Sequence, residues 1–289
     1  MLIEKEGSEV IKSKNLNKRL LSSAALILIF CCILSNNIFL YIFTIQTILF
    51  LTIWEFLRLF RLKESNHNLI KNNHDNFLLT RQKIKNSDYF VIFLLNMFNL
   101  YLFFDYSLFL FLIFFILLFF LFLFFKYKLE IIMGIFYFST PFFFLNYYKN
   151  NFDFSFFLLV IVLITISTDV GGYIFGNLIG GKKLMKKISP NKTISGALGG
   201  LFFSIIFVFS FFLKQTSYLS LFFYSVFFSI IVQIGDLFES YIKRKCCVKD
   251  SSNIIPGHGG ILDRFDGMFL LINVISILNI VGFNFFFIS

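Results

Sequence analysis

The sequence predicts an all-α, polytopic integral membrane protein of about nine transmembrane helices with a cytoplasmic N-terminus. Three observations carry that prediction. Of 289 residues, 58% are hydrophobic and only 15% charged, with a mean hydropathy of +0.82; a soluble domain has roughly 45–50% and about 25%. Apolar stretches close to the ~20 residues needed to cross ~30 Å of hydrocarbon recur along the chain, broken at Asn, Asp, Lys and Gly. With nine spans, alternate segments carry 5, 7, 2, 5 and 5 Lys or Arg, whereas those on the opposite side carry only Lys149 and Lys214. Such asymmetry sets orientation, with the basic side in the cytoplasm.

The spans follow in order. The first, near 20–35, comes after a basic N-terminus. No small-x-small cleavage site follows it, and Phe30 before Cys31 does not suit a lipoprotein site, so it reads as a retained helix. Spans two to five fall near 38–57, 89–104, 106–125 and 129–147. Only Asp105, Tyr106 and Ser107 separate the third from the fourth, but merging them would carry later basic loops outside, so the charge asymmetry favours nine. The remaining four fall near 154–178, 196–213, 217–237 and 268–287.

Two regions emerge. Residues 1–153 hold five spans, a polar loop from Arg58 to Asp88 and two of the sixteen glycines, and read as scaffold. Residues 154–289 hold four spans and the other fourteen glycines. Every later Asp or Glu is either Asp169 or lies between Asp236 and Asp266, which marks this region as catalytic, with its site on the cytoplasmic face. Matching broken helices in two halves, expected of inverted-repeat transporters, are not apparent.

The net charge of +10 does not indicate nucleic acid: basic residues lie between apolar spans, and no RNP-like or zinc-finger spacing occurs. The cysteines form two adjacent pairs, Cys31–Cys32 and Cys246–Cys247, which are poor disulfide partners and lack zinc-ligand spacing. Glu55, three residues before Arg58, reads as half of an intrahelical pair snorkelling to the interface.

The densest chemistry lies in Ser240–Gly267, SYIKRKCCVKDSSNIIPGHGGILDRFDG. Asp236, at the inner end of span eight, and Asp263, just before span nine, are placed to converge at one depth. Hard cations such as Mg²⁺ take oxygen ligands, usually one or two carboxylates plus substrate phosphates, and a second cation for two-metal phosphoryl chemistry is one option. The alternative is a pair of helix-end carboxylates satisfied by lysines. Asp266 shares a face with Asp263 if the helix has begun there, and serves as a further ligand, a supporting group or a helix N-terminal charge. Pro256–Gly260 must be a loop, whose Gly259 and Gly260 allow amides to approach an anion closely. His258 there is either a phosphate contact and proton carrier or a structural hydrogen-bonder. Lys243, Arg244, Lys245 and Lys249 read both as a membrane anchor and as phosphate-holding cations, with Arg244 and Arg264 best suited to bidentate contacts. A second block, Thr168–Gly200, joins the intramembrane Asp169 to a glycine-rich run and a loop offering Ser189, Lys192 and Thr193 to a polyphosphate.

These residues resemble integral-membrane phosphatidate cytidylyltransferases, also called CDP-diacylglycerol synthases. That family's signature is S-x-x-K-R-x4-K-D-x-[GSA]-x2-[LIF]-[PG]-x-H-G-G-x-x-D-R-x-D. It is matched by Ser240, Lys243, Arg244, Lys249, Asp250, Ser252, Ile255, Pro256, His258, Gly259, Gly260, Asp263, Arg264 and Asp266. Asp169-x-Gly171-Gly172-Tyr173 resembles its D-x-G-A-Y, and Ser189-Pro190-x-Lys192-Thr193 its S-P-x-K-T, with Ser195 where Glu or Gln is common. Residues 1–153 resemble the family only in hydropathy and in Trp54-Glu55.

The resemblance implies CTP plus phosphatidate giving CDP-diacylglycerol and pyrophosphate at the inner (plasma) membrane. It implies divalent metal on Asp236 and Asp263. In that reading Lys243, Arg264, His258 and Asp266 serve catalysis, while Asp169, Ser189, Lys192, Thr193, Ser240, Arg244, Lys249, Gly259 and Gly260 bind substrate. Family members often form dimers, so a homodimer is implied. Two rivals stay open: a transporter guided by intramembrane carboxylates, and a related CTP-using enzyme with a prenol-based acceptor.

Overall fold

The computed structural model describes residues 22–70, 84–104, 107–151, 153–212, 217–256, 259–283 and 285. Asp105, Tyr106 and Lys214, which entered the span count, lie outside the described residues. The described chain forms α1 (Ser22–Leu34), α2 (Ile38–Ile70), α3 (Asn86–Phe104), α4 (Leu108–Phe124), α5 (Leu129–Asn151) and α6 (Phe154–Leu178). A hairpin of β1 (Lys183–Met185) and β2 (Ser189–Thr193) follows, then α7 (Ile194–Phe212), α8 (Tyr218–Lys245) and α9 (Leu262–Ile280).

Six helices (α2, α3, α5, α6, α7 and α8) are long and apolar enough to cross a membrane. Helices α1 and α4 are shorter apolar helices, and α9 opens on a turn carrying Asp263, Arg264 and Asp266. The chain is thus an all-α polytopic membrane protein, with one small hairpin among the described residues. Large apolar side chains such as Phe39, Phe109, Phe124, Leu178 and Leu219 are exposed, as a lipid-facing surface requires.

Four boundaries differ from those expected. The first is α2, which runs through Arg58 to Ile70 rather than ending near 57. The expected polar loop therefore begins as helix, and Arg61 on it reaches Asp88 of α3. Helix α8 runs on to Lys245 because its last turns alternate apolar packing with Glu239, Lys243 and Arg244. It then ends with Cys247 in the left-handed region (φ 58°) and the Val248 amide on the Lys243 carbonyl at 3.0 Å. Helix α9 begins at Leu262 rather than 268, because carboxylates are present to receive its first amides. The segment after α6 is a hairpin: Lys183 pairs with Thr193 and Met185 with Ser189. The Thr193 hydroxyl then caps α7 by accepting from the Gly196 amide at 3.0 Å.

At one end of the α2–α5 bundle, Asp88 is buried and receives two bonds from Arg61 (2.9 and 2.6 Å) and one from the Tyr127 hydroxyl (2.5 Å). This clamps α2, α3 and the α4–α5 junction together, and the buried Tyr127 phenol is pushed above its usual pKa by desolvation and by Asp88. Helix α5 is tied to α9 through Asn273, whose side chain accepts from Thr140 at 2.8 Å and donates to the Tyr137 carbonyl at 3.0 Å.

The most extensive helix contact is α6 against α7, and glycine makes it possible. A Cβ on Gly171 would stand 2.5 Å from the Gly199 carbonyl oxygen, and one on Gly196 would stand 2.7 Å from that of Gly172. Small residues let helix backbones touch where lipid supplies no hydrophobic drive. Likewise Gly235 of α8 faces Gly267 of α9, where a Cβ would meet the Asp266 carbonyl oxygen at 3.0 Å. These two close crossings bring Asp169, Lys192, Asp236 and Asp266 within electrostatic range of one another. Gly171→Val is expected to lower the thermal midpoint of the detergent-solubilised protein, since forced overpacking costs about 1–3 kcal/mol or more. A midpoint equal to the parent's would show that α6 and α7 do not touch there.

Candidate active site

The carboxylate of Asp169 projects from α6 into two cavities at once. One, of about 500 Å³, is polar and lies between α6, the hairpin, α7 and α8; Tyr173, Asn177, Lys183, Lys192, Gln233 and Asp236 line it too. The other, of about 390 Å³, is apolar and lies among α1, α2, α5, α6 and α9. Isoleucines and phenylalanines make most of its wall, with Asp169 and Arg264 as its charged groups.

Within the polar cavity Lys192 ion-pairs with Asp236, and the Ser240 hydroxyl stands 3.5 Å from the same carboxylate. Asp236 acts electrostatically on Asp169, Glu239 and Asp266, and Asp263 acts on Glu239. The basic groups acting on this set are Lys192, Arg264 and Lys243. Five carboxylates and three cations therefore interact here, with Lys183 in the cavity wall as a further basic group. Among the described residues no three of the carboxylates form a group able to hold a metal unaided. The carboxylate oxygens gathered here nevertheless suit a divalent cation whose remaining ligands come from phosphates or water.

Asp236 and Asp263, expected to converge, each sit with their own lysine. The Lys243 ammonium lies 2.6 Å from Asp263 and 2.5 Å from Glu239, all three side chains being nearly enclosed. The other Asp263 oxygen accepts from the Ser251 amide (2.9 Å), the Ser251 hydroxyl (2.9 Å) and the Gly260 amide (2.8 Å). Asp266, one turn further along α9, faces the side of Asp236 and Asp169, so the two aspartates of the D-R-x-D run serve different neighbours.

Glu55 departs from its expected place. It is fully buried and makes no ion pair among the described residues, while Arg58 lies over the Trp54 ring instead. Its carboxylate accepts from the hydroxyls of Ser251 (2.9 Å) and Ser252 (2.5 Å) and from the amides of Ile261 (3.0 Å) and Leu262 (2.9 Å). It caps α9 from another helix, offering negative charge where the first amides of a helix lack partners. A buried donor left without its acceptor costs about 1–3 kcal/mol, so four such donors explain why a carboxylate lies here rather than at the interface.

This geometry also accounts for the paired glycines. Gly259 has φ +85°, and a Cβ on it would stand 2.7 Å from Asp263. On Gly260 it would stand 2.6 Å from both Glu55 oxygens. The anions that the loop approaches in the structure are the protein's own carboxylates.

The other candidate residues divide. Thr193 lines the polar cavity, although its hydroxyl caps α7. Arg244 holds the hairpin to α8 by donating to the Ile188 carbonyl (3.1 Å) and the Val248 carbonyl (2.9 Å). Ser195 donates to the Gly180 carbonyl, tying the end of α6 to the start of α7. Ser189 and the exposed Lys249 line neither cavity among the described residues, and His258 lies outside them. Cys246 is buried, which pushes its thiol up to about 11, so it is not a nucleophile near neutral pH.

Sequence reasoning passed over Ser251, Gln233 and the true partner of Glu55. The only signal for the last was the Trp54-Glu55 pair itself.

The chain is similar to known proteins. A phosphatidate cytidylyltransferase of Staphylococcus haemolyticus is 44% identical over 138 residues, covering 47% of this chain and 53% of the relative. One from Staphylococcus saprophyticus is 41% identical over 150 residues (51% and 57%), and one from Staphylococcus aureus strain COL is 40% identical over 141 residues (47% and 53%). The chain spans about half the length of these curated relatives. The pattern of the cytidylyltransferase family, in contrast, runs through residues 17–281, taking in the described helices, both cavities and the loop on Glu55. The chain belongs to the cytidylyltransferase family.

Proposed function

We propose that the protein transfers CMP from CTP to phosphatidate, giving CDP-diacylglycerol and pyrophosphate. One observation carries the reading: a polar cavity with lysines and an apolar cavity with an arginine meet at Asp169. A water-soluble polyanion and a lipid phosphate need that pairing of environments, and the relatives' names supply the substrates.

In the proposed mechanism a phosphatidate oxygen attacks the α-phosphorus of CTP. A new P–O bond forms, the bond from the α-phosphorus to the bridging oxygen breaks, and pyrophosphate leaves with that electron pair. The nucleophile is already an anion, so the main obstacle is repulsion between polyanions. Lys183 and Lys192 lie where they would meet the nucleotide phosphates, and Arg264 where it would meet the lipid phosphate at the head of the apolar cavity. Lys243 holds Asp263 in place beside Glu239. Asp236 and Asp263 would hold Mg²⁺, which supplies charge neutralisation of the phosphates when bound.

The proposal extends to topology and assembly. Nine spans, a cytoplasmic N-terminus and a site facing the cytoplasm are supported by the lopsided placement of Lys and Arg, while the plasma-membrane location rests on the family resemblance. Residues 1–153 act as scaffold and 154–289 carry the chemistry, supported by where the cavity carboxylates fall. A homodimer rests on the family resemblance alone.

Purified protein given labelled CTP, Mg²⁺ and a panel of lipids is expected to release pyrophosphate with phosphatidate and not with prenyl acceptors. Chelation of divalent cations should stop the release, as should Asp236→Asn or Asp263→Asn, each lowering kcat by about 100-fold or more. Near-parental turnover in both variants would sink the site assignment, and no release with any lipid would return the transporter to contention. Topology has its own check. With Cys31 and Cys32 replaced by Ser, an impermeant maleimide should label exposed Cys247 in inside-out vesicles and leave buried Cys246 unmodified. Labelling from the outer face of intact cells would reverse the orientation.

A further inference from the structure

We propose that Glu55 is a positioning residue of the reaction: through Ser251 and the first amides of α9, it fixes where Asp263 stands. The inference rests on the proposed reading in which Asp263 acts at the substrate phosphates.

Glu55 cannot itself touch substrate. It is fully buried in α2 and lines neither cavity. Its four partners are all on the segment that carries Asp263: two serine hydroxyls at one end and the Ile261 and Leu262 amides at the other. Glu55 thus grips both ends of the signature loop, and the residue directly after its second grip is Asp263. Ser251 links the two carboxylates, its hydroxyl being 2.9 Å from Glu55 and 2.9 Å from Asp263. A hydroxyl has one proton to give. The bond to Glu55 therefore governs how far that proton is shared with Asp263, and with it the charge Asp263 presents to Lys243.

Steric evidence agrees. Gly260 has no room for a Cβ, which would overlap the Ser251 hydroxyl and stand 2.6 Å from both Glu55 oxygens, so the loop is shaped around this hydrogen-bonded pair. Glutamine is a severe replacement despite its matching size, since it offers one acceptor oxygen and an amide group to four donors. Aspartate keeps the charge but is one methylene too short to reach both ends.

The test compares parent, Glu55→Gln, Glu55→Asp and Asp263→Asn as purified full-length proteins. It reads kcat and KM for CTP and phosphatidate, together with hydrogen exchange of peptides covering residues 251–262. Glu55→Gln is expected to lower kcat about 10–100-fold, the range typical of groups that orient a metal-binding carboxylate, with KM for phosphatidate within about twofold. Exchange should rise in the 251–262 peptides and stay at the parent level in α6 and α7. Glu55→Asp should recover part of kcat. Parental kcat in Glu55→Gln overturns the proposal, as does loosening of the whole molecule with unchanged turnover of the folded fraction. An active Asp263→Asn would instead overturn the reading of the site, leaving the exchange result to stand by itself. Should Glu55→Gln fail to fold, Ser252→Ala removes one of the four donors. It is expected to lower kcat about fivefold, the rate equivalent of one ordinary hydrogen bond; unchanged kcat in it overturns the proposal.

Discussion

Burying a carboxylate in a membrane protein without a counter-ion is possible only if donors surround it, and the arrangement around Glu55 shows what that demands. The donors are two hydroxyls and two main-chain amides at the start of a helix, and they come from a segment some two hundred positions away in sequence. Once they are committed, the start of α9 is fixed, the loop before it has one path, and both glycines in that path become obligatory. Asp263 then supplies the second anion, taking the Gly260 amide and the Ser251 amide. The charged face of α9 is thus assembled on α2 rather than on its own sequence neighbours.

Close helix crossings do the corresponding work on the other side. Asp169 is on α6, Lys192 on β2 and Asp236 on α8, three elements with no covalent reason to meet. Gly171, Gly196 and Gly200 let α6 and α7 approach backbone to backbone, while Gly235 and Gly267 do so for α8 and α9. The Thr168 hydroxyl bonds that of Ser229 at 2.9 Å, one residue before Asp169, fixing α6 against α8 beside the cavity. Arg244, a candidate phosphate ligand by motif, fixes the hairpin against α8 and so sets the reach of Lys192.

Helix existence was legible because hydropathy and basic punctuation are written along the chain itself; each of the nine expected spans overlaps a helix. The gathering of Asp169, Lys192 and Asp236 was also legible, through motif resemblance. What escaped depended on partners remote in sequence. Nothing near Glu55 announces Ser251 or Leu262, and Arg58 three residues on offered a plausible local partner that the structure gives to Trp54 instead. The hairpin escaped because Ser-Pro-Asn-Lys-Thr has neither strand periodicity nor strand composition; it is held by pairing with Lys183–Met185 and by Arg244. Depth placed Asp236 and Asp263 on one side of the membrane but did not name the lysine each takes: Lys192 pairs with Asp236, while Lys243 lies between Asp263 and Glu239.

Electrostatics also constrains the proposed chemistry. Five carboxylates and three cations act on one another around the cavities. A nucleoside triphosphate and a phosphatidate would each add more negative charge in a setting where the low dielectric magnifies repulsion. Lys192 and Lys243 already face carboxylates, which limits how much of that repulsion those two offset. A divalent cation drawn to Asp236 would lower the negative charge of the carboxylates and attract phosphate oxygens together, and it would release Lys192 towards the nucleotide. In the proposed reading a divalent cation would therefore serve substrate association as much as bond formation.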